Sequence, residues 1–224
     1  MELKGKTAII TGGTKGLGKA LALSFLKEGA KIIVCSCDEK RPDDLEKEII
    51  WQKADVAKEN DLKKLADFAV EKFRRLDVWI NNAGIWLPHK PIEETDWKRA
   101  HNLIEVNLFG TVYGSKVALA EMRKQGFGII LNIISTSGLD GKMNETAYCS
   151  SKFAARGFTE SLKKEVDGIN IKVLSVCPGG MRTNLFDEKK PENYGSFMEP
   201  SFVAEKVMEN LKKEMPEGEL IIRR

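Results

Sequence analysis

Thr11-Gly12-Gly13-Thr14-Lys15-Gly16-Leu17-Gly18 follows a short apolar run at residues 7–10 and precedes a helical stripe through Leu21, Phe25 and Leu26. A strand, a glycine turn and a helix in that order make an anion site. Glycines let main-chain N–H groups approach a pyrophosphate, and the helix turns its positive end towards the charge. The loop by itself is a weak sign, since many strand-to-helix turns hold glycine. Its spacing is Gly-x-x-x-Gly-x-Gly, not Gly-x-Gly-x-x-Gly.

Outward from this loop the chain alternates between the two periods of regular structure. Residues 31–35 predict a second strand, 43–48 a short helix, and 49–51 a third strand. Residues 62–73 repeat apolar side chains at Leu62, Leu65, Ala66, Ala69 and Phe73, a helix period. Residues 78–80 form the fourth strand. Residues 96–122 make a long helical stretch broken in register near 107–110. The unbroken apolar runs 129–134 and 171–176 suit strands buried on both faces. Helices are expected over 146–166 and 202–213, and a last strand over 219–222. Strand and helix in alternation mean a parallel sheet with right-handed crossovers. The expectation is an α/β fold: one Rossmann-type, doubly wound parallel sheet of about seven strands flanked by helices, a single domain over residues 1–224. The stretch 182–200, with Pro191, Gly195 and Pro200, is the one long loop, and a long loop in a compact domain is usually functional.

Composition narrows the function classes. A net charge of +3 over 224 residues argues against a nucleic-acid binder working through a basic patch. The four cysteines, Cys35, Cys37, Cys149 and Cys177, form no Cys-x-x-Cys pair, and the histidines are only His89 and His101, so no metal site is expected. All four cysteines lie in or beside apolar runs and read as small buried thiols. Lys4 and Lys6 interrupt any apolar leader, and no run approaches the roughly 20 apolar residues of a membrane span. A reducing, cytoplasmic setting is the expectation.

Further elements accumulate behind the glycine loop: Asp55-Val56, Asn81-Asn82-Ala83-Gly84 after the fourth strand, Asn107, Ser135-Thr136-Ser137-Gly138 after the fifth strand, Tyr148-Cys149-Ser150-Ser151-Lys152, and Pro178-Gly179 with Thr183. In this order and spacing the chain resembles the short-chain dehydrogenase/reductase family. The family's loop reads TGxxxGxG, its fourth strand leads into NNAG, and its active-site helix carries YxxxK. The resemblance implies an NAD(P)-dependent oxidoreductase, of the alcohol dehydrogenase or carbonyl reductase type, acting on a small carbonyl or alcohol substrate. It implies catalytic roles for Asn107, Ser135, Tyr148 and Lys152. It implies cofactor contacts from Gly12, Thr14, Lys15, Gly16, Leu17, Gly18, Ser36, Asp55, Val56, Asn82, Ala83, Gly84, Pro178, Gly179 and Thr183, with Tyr148 and Lys152 contributing as well. It also implies a homotetramer or homodimer in which Phe153, Phe158 and Leu162 of the fifth helix supply part of an interface. Two departures stand out: the segment 36–55 is shorter than the family usually has, and 97–107 is about one turn longer.

The residue types suit the chemistry. Tyr148 and Lys152 lie four apart on a helix, with β-carbons about 6 Å apart. A free tyrosine ionises near 10, and lowering that by about three units needs roughly 4 kcal/mol. One cation at about 4 Å supplies about that much at an effective dielectric of 20. Lys152, helped by the positive nicotinamide ring of the oxidised cofactor, is therefore expected to bring Tyr148 down into the range of a general acid–base. Ser135 would donate to the substrate oxygen. By resemblance, Asn107 would hold a water that links Lys152 to solvent. A carboxylate at the end of the second strand would clasp the ribose of NAD. Ser36 stands there, Asp38 lies two residues on, and Lys15 sits where a cation can meet the 2′-phosphate of NADP, although an ordinary surface lysine fits the same position. NADP(H) is favoured over NAD(H). The competing reading is a dinucleotide-sensing binding protein without turnover, for which the glycine loop alone would suffice. The loop 182–200 and the segment 85–91 are expected to line a partly aromatic pocket through Trp86, Leu87, Phe186, Tyr194 and Phe197.

Overall fold

The computed structural model describes residues 2–224. Seven strands, β1 (Thr7–Thr11), β2 (Lys31–Ser36), β3 (Ile50–Lys53), β4 (Val78–Asn81), β5 (Gly128–Ile133), β6 (Ile171–Pro178) and β7 (Glu219–Ile222), form one sheet in the order β3-β2-β1-β4-β5-β6-β7. Every pairing is parallel. The order reverses direction between β1 and β4, and at such a switch point a crevice opens beyond the carboxyl ends of the strands. The sequence pattern had placed all seven within a few residues.

Six α-helices flank the sheet: α1 (Gly16–Lys27), α2 (Glu59–Phe73), α3 (Trp97–Ile104), α4 (Gly110–Gln125), α5 (Thr146–Glu165) and α6 (Pro200–Lys212). They cover two faces. One apolar cluster joins Leu17, Leu21 and Phe25 of α1 and Val203, Val207 and Leu211 of α6 to Ile10, Val34, Ile80 and Leu131. The other joins Leu62, Leu65 and Ala69 of α2, Ala118 and Met122 of α4 and Leu162 of α5 to Ile9, Ile33, Trp79 and Ile130. Alternate residues of β1, β2 and β4 thus face opposite cores, which is why those strands read as unbroken apolar runs.

Two expectations need correction, and one gains its detail. No helix forms over 43–48; residues 37–49 cross from β2 to β3 in turns and bends. The Arg41 guanidinium donates to the carbonyls of Pro42, Leu45 and Glu46 and so satisfies the groups a helix would have paired. The break in register expected near 107–110 is a π-helical turn, Glu105–Phe109, which joins two helices and carries Asn107; such turns often mark functional sites. Cys37 is exposed, because it lies one residue past the end of β2, while Cys35, Cys149 and Cys177 are buried.

A buried polar network ties the two central strands to the helices behind the crevice. Asn81 accepts from Trp79 Nε1 (2.7 Å) and donates to Asn132 Oδ1 (2.8 Å) and Ser115 Oγ (3.0 Å). Asn132 in turn donates to Thr159 Oγ1 (2.9 Å). Each of these polar atoms has a partner, as burial demands.

Candidate active site

The cleft lies beyond the carboxyl ends of β1, β2, β4, β5 and β6 and has a volume of about 690 Å³. Its floor on one side is the glycine loop. Gly12 has φ +61° and Gly16 φ +54°, conformations that other residues rarely adopt. A Cβ on Gly13 would stand 2.5 Å from Val34 Cγ1, and one on Gly18 would overlap the Gly12 carbonyl. The loop is stapled to the segment after β4. The main-chain N–H groups of Asn82 and Ala83 both donate to Thr11 Oγ1 (3.0 Å each), and Asn82 Nδ2 donates to the carbonyls of Thr11 (2.9 Å) and Gly12 (3.1 Å). The first turn of α1 has neither a side-chain cap nor an acidic residue, so its N–H groups face the cleft with their partial positive charge uncompensated. A cradle that single methyl groups would fill, ending on an uncapped helix, fits the pyrophosphate of a dinucleotide.

The chemistry-bearing side chains gather at the other end. Ser135 follows β5, and its Oγ accepts the Ser137 N–H at 3.1 Å. Tyr148 and Lys152 project from α5. Lys152 is 5% exposed; its Nζ donates to the Ile133 carbonyl at 3.1 Å and lies 5.8 Å from the centre of the Tyr148 ring. Burial lowers the Lys152 ammonium to about 8. Burial also holds the Tyr148 phenol above its ordinary value, against a hydrogen bond with Ser135 that lowers it, while the Glu145 carboxylate pushes it further up. This corrects the expectation of a depressed phenol. In the protein alone burial dominates, and the Lys152 ammonium lies against the Ile133 carbonyl.

Asn107 sits behind this group. Its Oδ1 accepts the Ile85 N–H (2.9 Å), and its Nδ2 donates to the Ile85 carbonyl (3.0 Å) and to Ser151 Oγ (3.1 Å). Ser151 Oγ donates to the Tyr148 carbonyl (2.7 Å). Asn107 therefore braces the segment after Gly84 against α5. All the other residues expected to contact the cofactor or to carry the chemistry line the cleft directly, except Gly18, which with Asn107 stands one layer behind.

The sequence reading missed two side chains in the cleft wall. His89 Nε2 lies 2.7 Å from Glu145 Oε1, and Ser137 Oγ lies 3.3 Å from the other carboxylate oxygen. The Lys90 N–H also donates to the Asn144 carbonyl (3.1 Å), so the segment 85–91 is clasped to the turn before α5. The His89–Glu145 and Lys90–Asn144 pairs each join residues more than 50 apart in the chain, a distance no local pattern spans. On the opposite side the loop 182–200 docks through rings. Phe186 packs on Trp86 (5.0 Å between centres), Tyr194 (6.0 Å) and Phe197 (5.4 Å), and Trp86 also meets His89 (5.2 Å). Trp86, Phe186 and Phe197 line the cleft, whereas Tyr194 packs behind them and Leu87, also expected there, is not among the lining residues. The Arg99 guanidinium of α3 grips Glu188 of this loop from outside (3.0 and 2.5 Å).

Among the described residues there is no cluster of three or more potential metal ligands and no helix long and apolar enough to cross a membrane.

Comparison with known proteins places this architecture. The model of the short chain dehydrogenase family matches residues 6–193. The chain is 33% identical over 187 residues to L-fucose dehydrogenase of Oryctolagus cuniculus, covering 82% of this chain and 66% of that protein. It is 34% identical over 227 residues to the 3-oxoacyl-[acyl-carrier-protein] reductase FabG of Thermotoga maritima, covering 93% of this chain and 91% of that one. Among solved structures, ElxO with NADP bound superposes with a TM-score of 0.87 at 30% identity, covering 97% and 96% of the two chains. The alcohol dehydrogenase of the archaeon Thermococcus sibiricus, complexed with 5-hydroxy-NADP, superposes with a TM-score of 0.88 at 25% identity and the same coverages. With a family model matching most of its length and a seven-stranded sheet of the same form, the chain belongs to the short-chain dehydrogenase family of oxidoreductases.

Proposed function

We propose that this protein interconverts a carbonyl compound and its secondary alcohol with a nicotinamide dinucleotide, NADP(H) in preference to NAD(H), with Tyr148 as the acid–base group. The observation that carries this reading is the convergence of Tyr148, Ser135 and the buried ammonium of Lys152 at the far end of a glycine-lined cleft. The NADP and 5-hydroxy-NADP named with the two solved relatives support the cofactor class. When bound, the nicotinamide ring would supply the hydride acceptor or donor.

Every other part of the chemistry belongs to the chain. Gly12, Thr14, Gly16, Leu17 and the α1 N-terminus would hold the pyrophosphate. Asp55, Val56 and Ser36 would hold the adenosine end, and Asn82, Ala83, Gly84, Pro178, Gly179 and Thr183 the nicotinamide side. Kept protonated by burial, Tyr148 is ready to donate its proton to the substrate oxygen as a carbonyl is reduced. Ser135 steadies the charge that develops on that oxygen. In the reverse direction Tyr148 would first release its own proton, its phenolate would take the proton of the substrate alcohol, and Lys152 is the cation that would stabilise that phenolate. Asn107 acts through position, by fixing α5 against the segment after Gly84. The loop 182–200 closes the substrate side, and a single domain serves both sites. A homo-oligomer fits Phe153, 42% exposed on α5, whereas Phe158 and Leu162 pack inward. Four free cysteines fit a cytoplasmic setting.

The test is Tyr148→Phe, assayed with a panel of aldehydes, ketones, keto esters and hydroxy acids. Turnover should fall by at least about a hundredfold, the usual worth of general acid–base catalysis, with cofactor affinity near wild type. Lys152→Ala should damage both. More than about a tenth of wild-type rate in Tyr148→Phe would remove Tyr148 from the role.

A further inference from the structure

The end of β2 makes a contact that sequence spacing does not reveal. Trp51 of the edge strand β3 lies opposite Val34 in the parallel register, and its indole reaches one step along. Nε1–H donates to Ser36 Oγ at 2.9 Å. The Ser36 main chain is fixed as well, since its carbonyl accepts the Ala54 N–H at 3.0 Å. Ser36 lines the cleft beside Cys37, Asp38 and Lys15.

An indole N–H can only donate, whereas a serine hydroxyl carries one donor and two acceptor lone pairs. With Trp51 filling one lone pair, the hydroxyl proton of Ser36 is turned away from the indole. Besides Lys15, which lines the same cleft, this corner is short of other side-chain donors. Arg41 is spent on three main-chain carbonyls, Lys19 is held by Asp44 (2.5 Å), and Lys53 by Glu39 (2.6 Å). An aimed hydroxyl donor suits a phosphomonoester, whose oxygens are strong, charged acceptors. It suits a ribose hydroxyl less, because that group is also a donor and finds the nearest serine lone pair taken.

Resting on the cofactor reading above, we propose that Trp51 is a positioning residue for cofactor choice: by occupying the acceptor side of Ser36 it presents the hydroxyl proton to the 2′-phosphate of NADP.

The test is calorimetric titration of the protein with two probes, adenosine 2′,5′-bisphosphate and 5′-AMP, which differ by the 2′-phosphate alone. Trp51→Phe keeps an aromatic ring and removes the N–H. It should weaken the bisphosphate about three- to tenfold, the scale of one hydrogen bond, and leave 5′-AMP unchanged. Ser36→Ala should cost as much, and adding Trp51→Phe to it should cost nothing more, since both act through one hydroxyl. Trp51→His, which retains a ring N–H, should recover part of the loss. An equal loss for both probes in Trp51→Phe, no loss at all, or additive losses in the double variant would each overturn the proposal. Wild-type protein that binds 5′-AMP as tightly as the bisphosphate would instead overturn the NADP preference beneath it, and the role of Trp51 would fall with it.

Discussion

The two halves of the cleft are built from different materials. The dinucleotide half is made of main chain and of missing side chains: Gly12, Gly13 and Gly18 bring the loop against Ala83, Val34 and its own carbonyls. The substrate half is made of side chains that reach between three separate segments: His89 to Glu145, Trp86 to Phe186, and Arg99 to Glu188. Glycines follow the same division in part. Gly141 and Gly195, on the substrate side, have open space where a Cβ would go. The glycine loop is therefore intolerant of an added methyl, whereas the substrate side tolerates one at Gly141 and Gly195 but not at Gly180, where a Cβ would stand 2.5 Å from the Phe197 ring.

That difference is the first place to break the comparison. Gly18→Ala puts a methyl group into the Gly12 carbonyl and Asn82 Nδ2. Stability should fall by about 1–3 kcal/mol, as overpacking does. Displacement of the cradle should raise the NADP+ dissociation constant at least about tenfold, equivalent to 1.4 kcal/mol or more. Gly141→Ala should change neither quantity measurably. Thermal melts and calorimetric titration of the two variants check both statements, and equal behaviour would dissolve the distinction.

The same difference decides what the sequence could reveal. Thr11–Gly18 and Asn81–Gly84 are local strings whose backbone conformations demand particular residues, so they read directly from sequence. The strands read well because burial on both faces leaves continuous apolar runs. Residues 43–48 misled because their composition favours a helix, while Arg41, outside the window, satisfies the carbonyls without one. His89 and Glu145 were invisible because their pairing depends on how two loops meet, and neither belongs to a periodic pattern. The proposed acid–base pair was legible in its spacing but not in its energetics: Tyr-x-x-x-Lys shows proximity, whereas the rise of the phenol comes from burial.

Lys152 stands at the seam of the two halves, and its burial gives the next prediction. The folded protein binds this proton with a value of about 8, against 10.5 for an unperturbed lysine. Between those values the unfolded chain carries more protons, so stability rises with pH across that window. Below about 8 both states are protonated and the full cost of burying the ammonium is present. Lys152→Met has no such term. Its stability relative to wild type should be greatest at neutral pH, and wild type should gain on it by up to about 3 kcal/mol towards pH 10.5. Melting both proteins without cofactor over that range supplies the check; parallel curves would mean that Lys152 is not desolvated.

On the substrate side, Phe186 is the hub of the ring contacts. Phe186→Ala removes three ring pairs, each worth about 0.5–1.5 kcal/mol, from a loop that is partly exposed. The half-and-half construction predicts a KM for the carbonyl substrate raised about tenfold, 1.4 kcal/mol in binding, with the NADP+ dissociation constant within about twofold of wild type. A large loss of cofactor affinity would show that the aromatic loop supports the dinucleotide half as well.

The smallest expected effect tests the exposed rim of the dinucleotide half. Lys15 lies inside the glycine loop, is exposed and lines the cleft, and Ser36 stands across from it without a carboxylate. An exposed cation near a phosphate contributes about 1 kcal/mol or less, because water and salt screen it. Lys15→Ala should therefore weaken NADP(H) by no more than about fivefold and leave NAD(H) nearly unchanged, with the difference shrinking as salt is raised. Ser36→Asp should do more at the same rim, because it removes a donor and adds a charge that repels the 2′-phosphate and can accept from a ribose hydroxyl. Comparing kcat/KM for the two cofactors across wild type and both variants orders the contributions. If wild type already prefers NAD by about tenfold, 1.4 kcal/mol, the carboxylate that decides the matter is Asp38, which lines the same corner two residues further on.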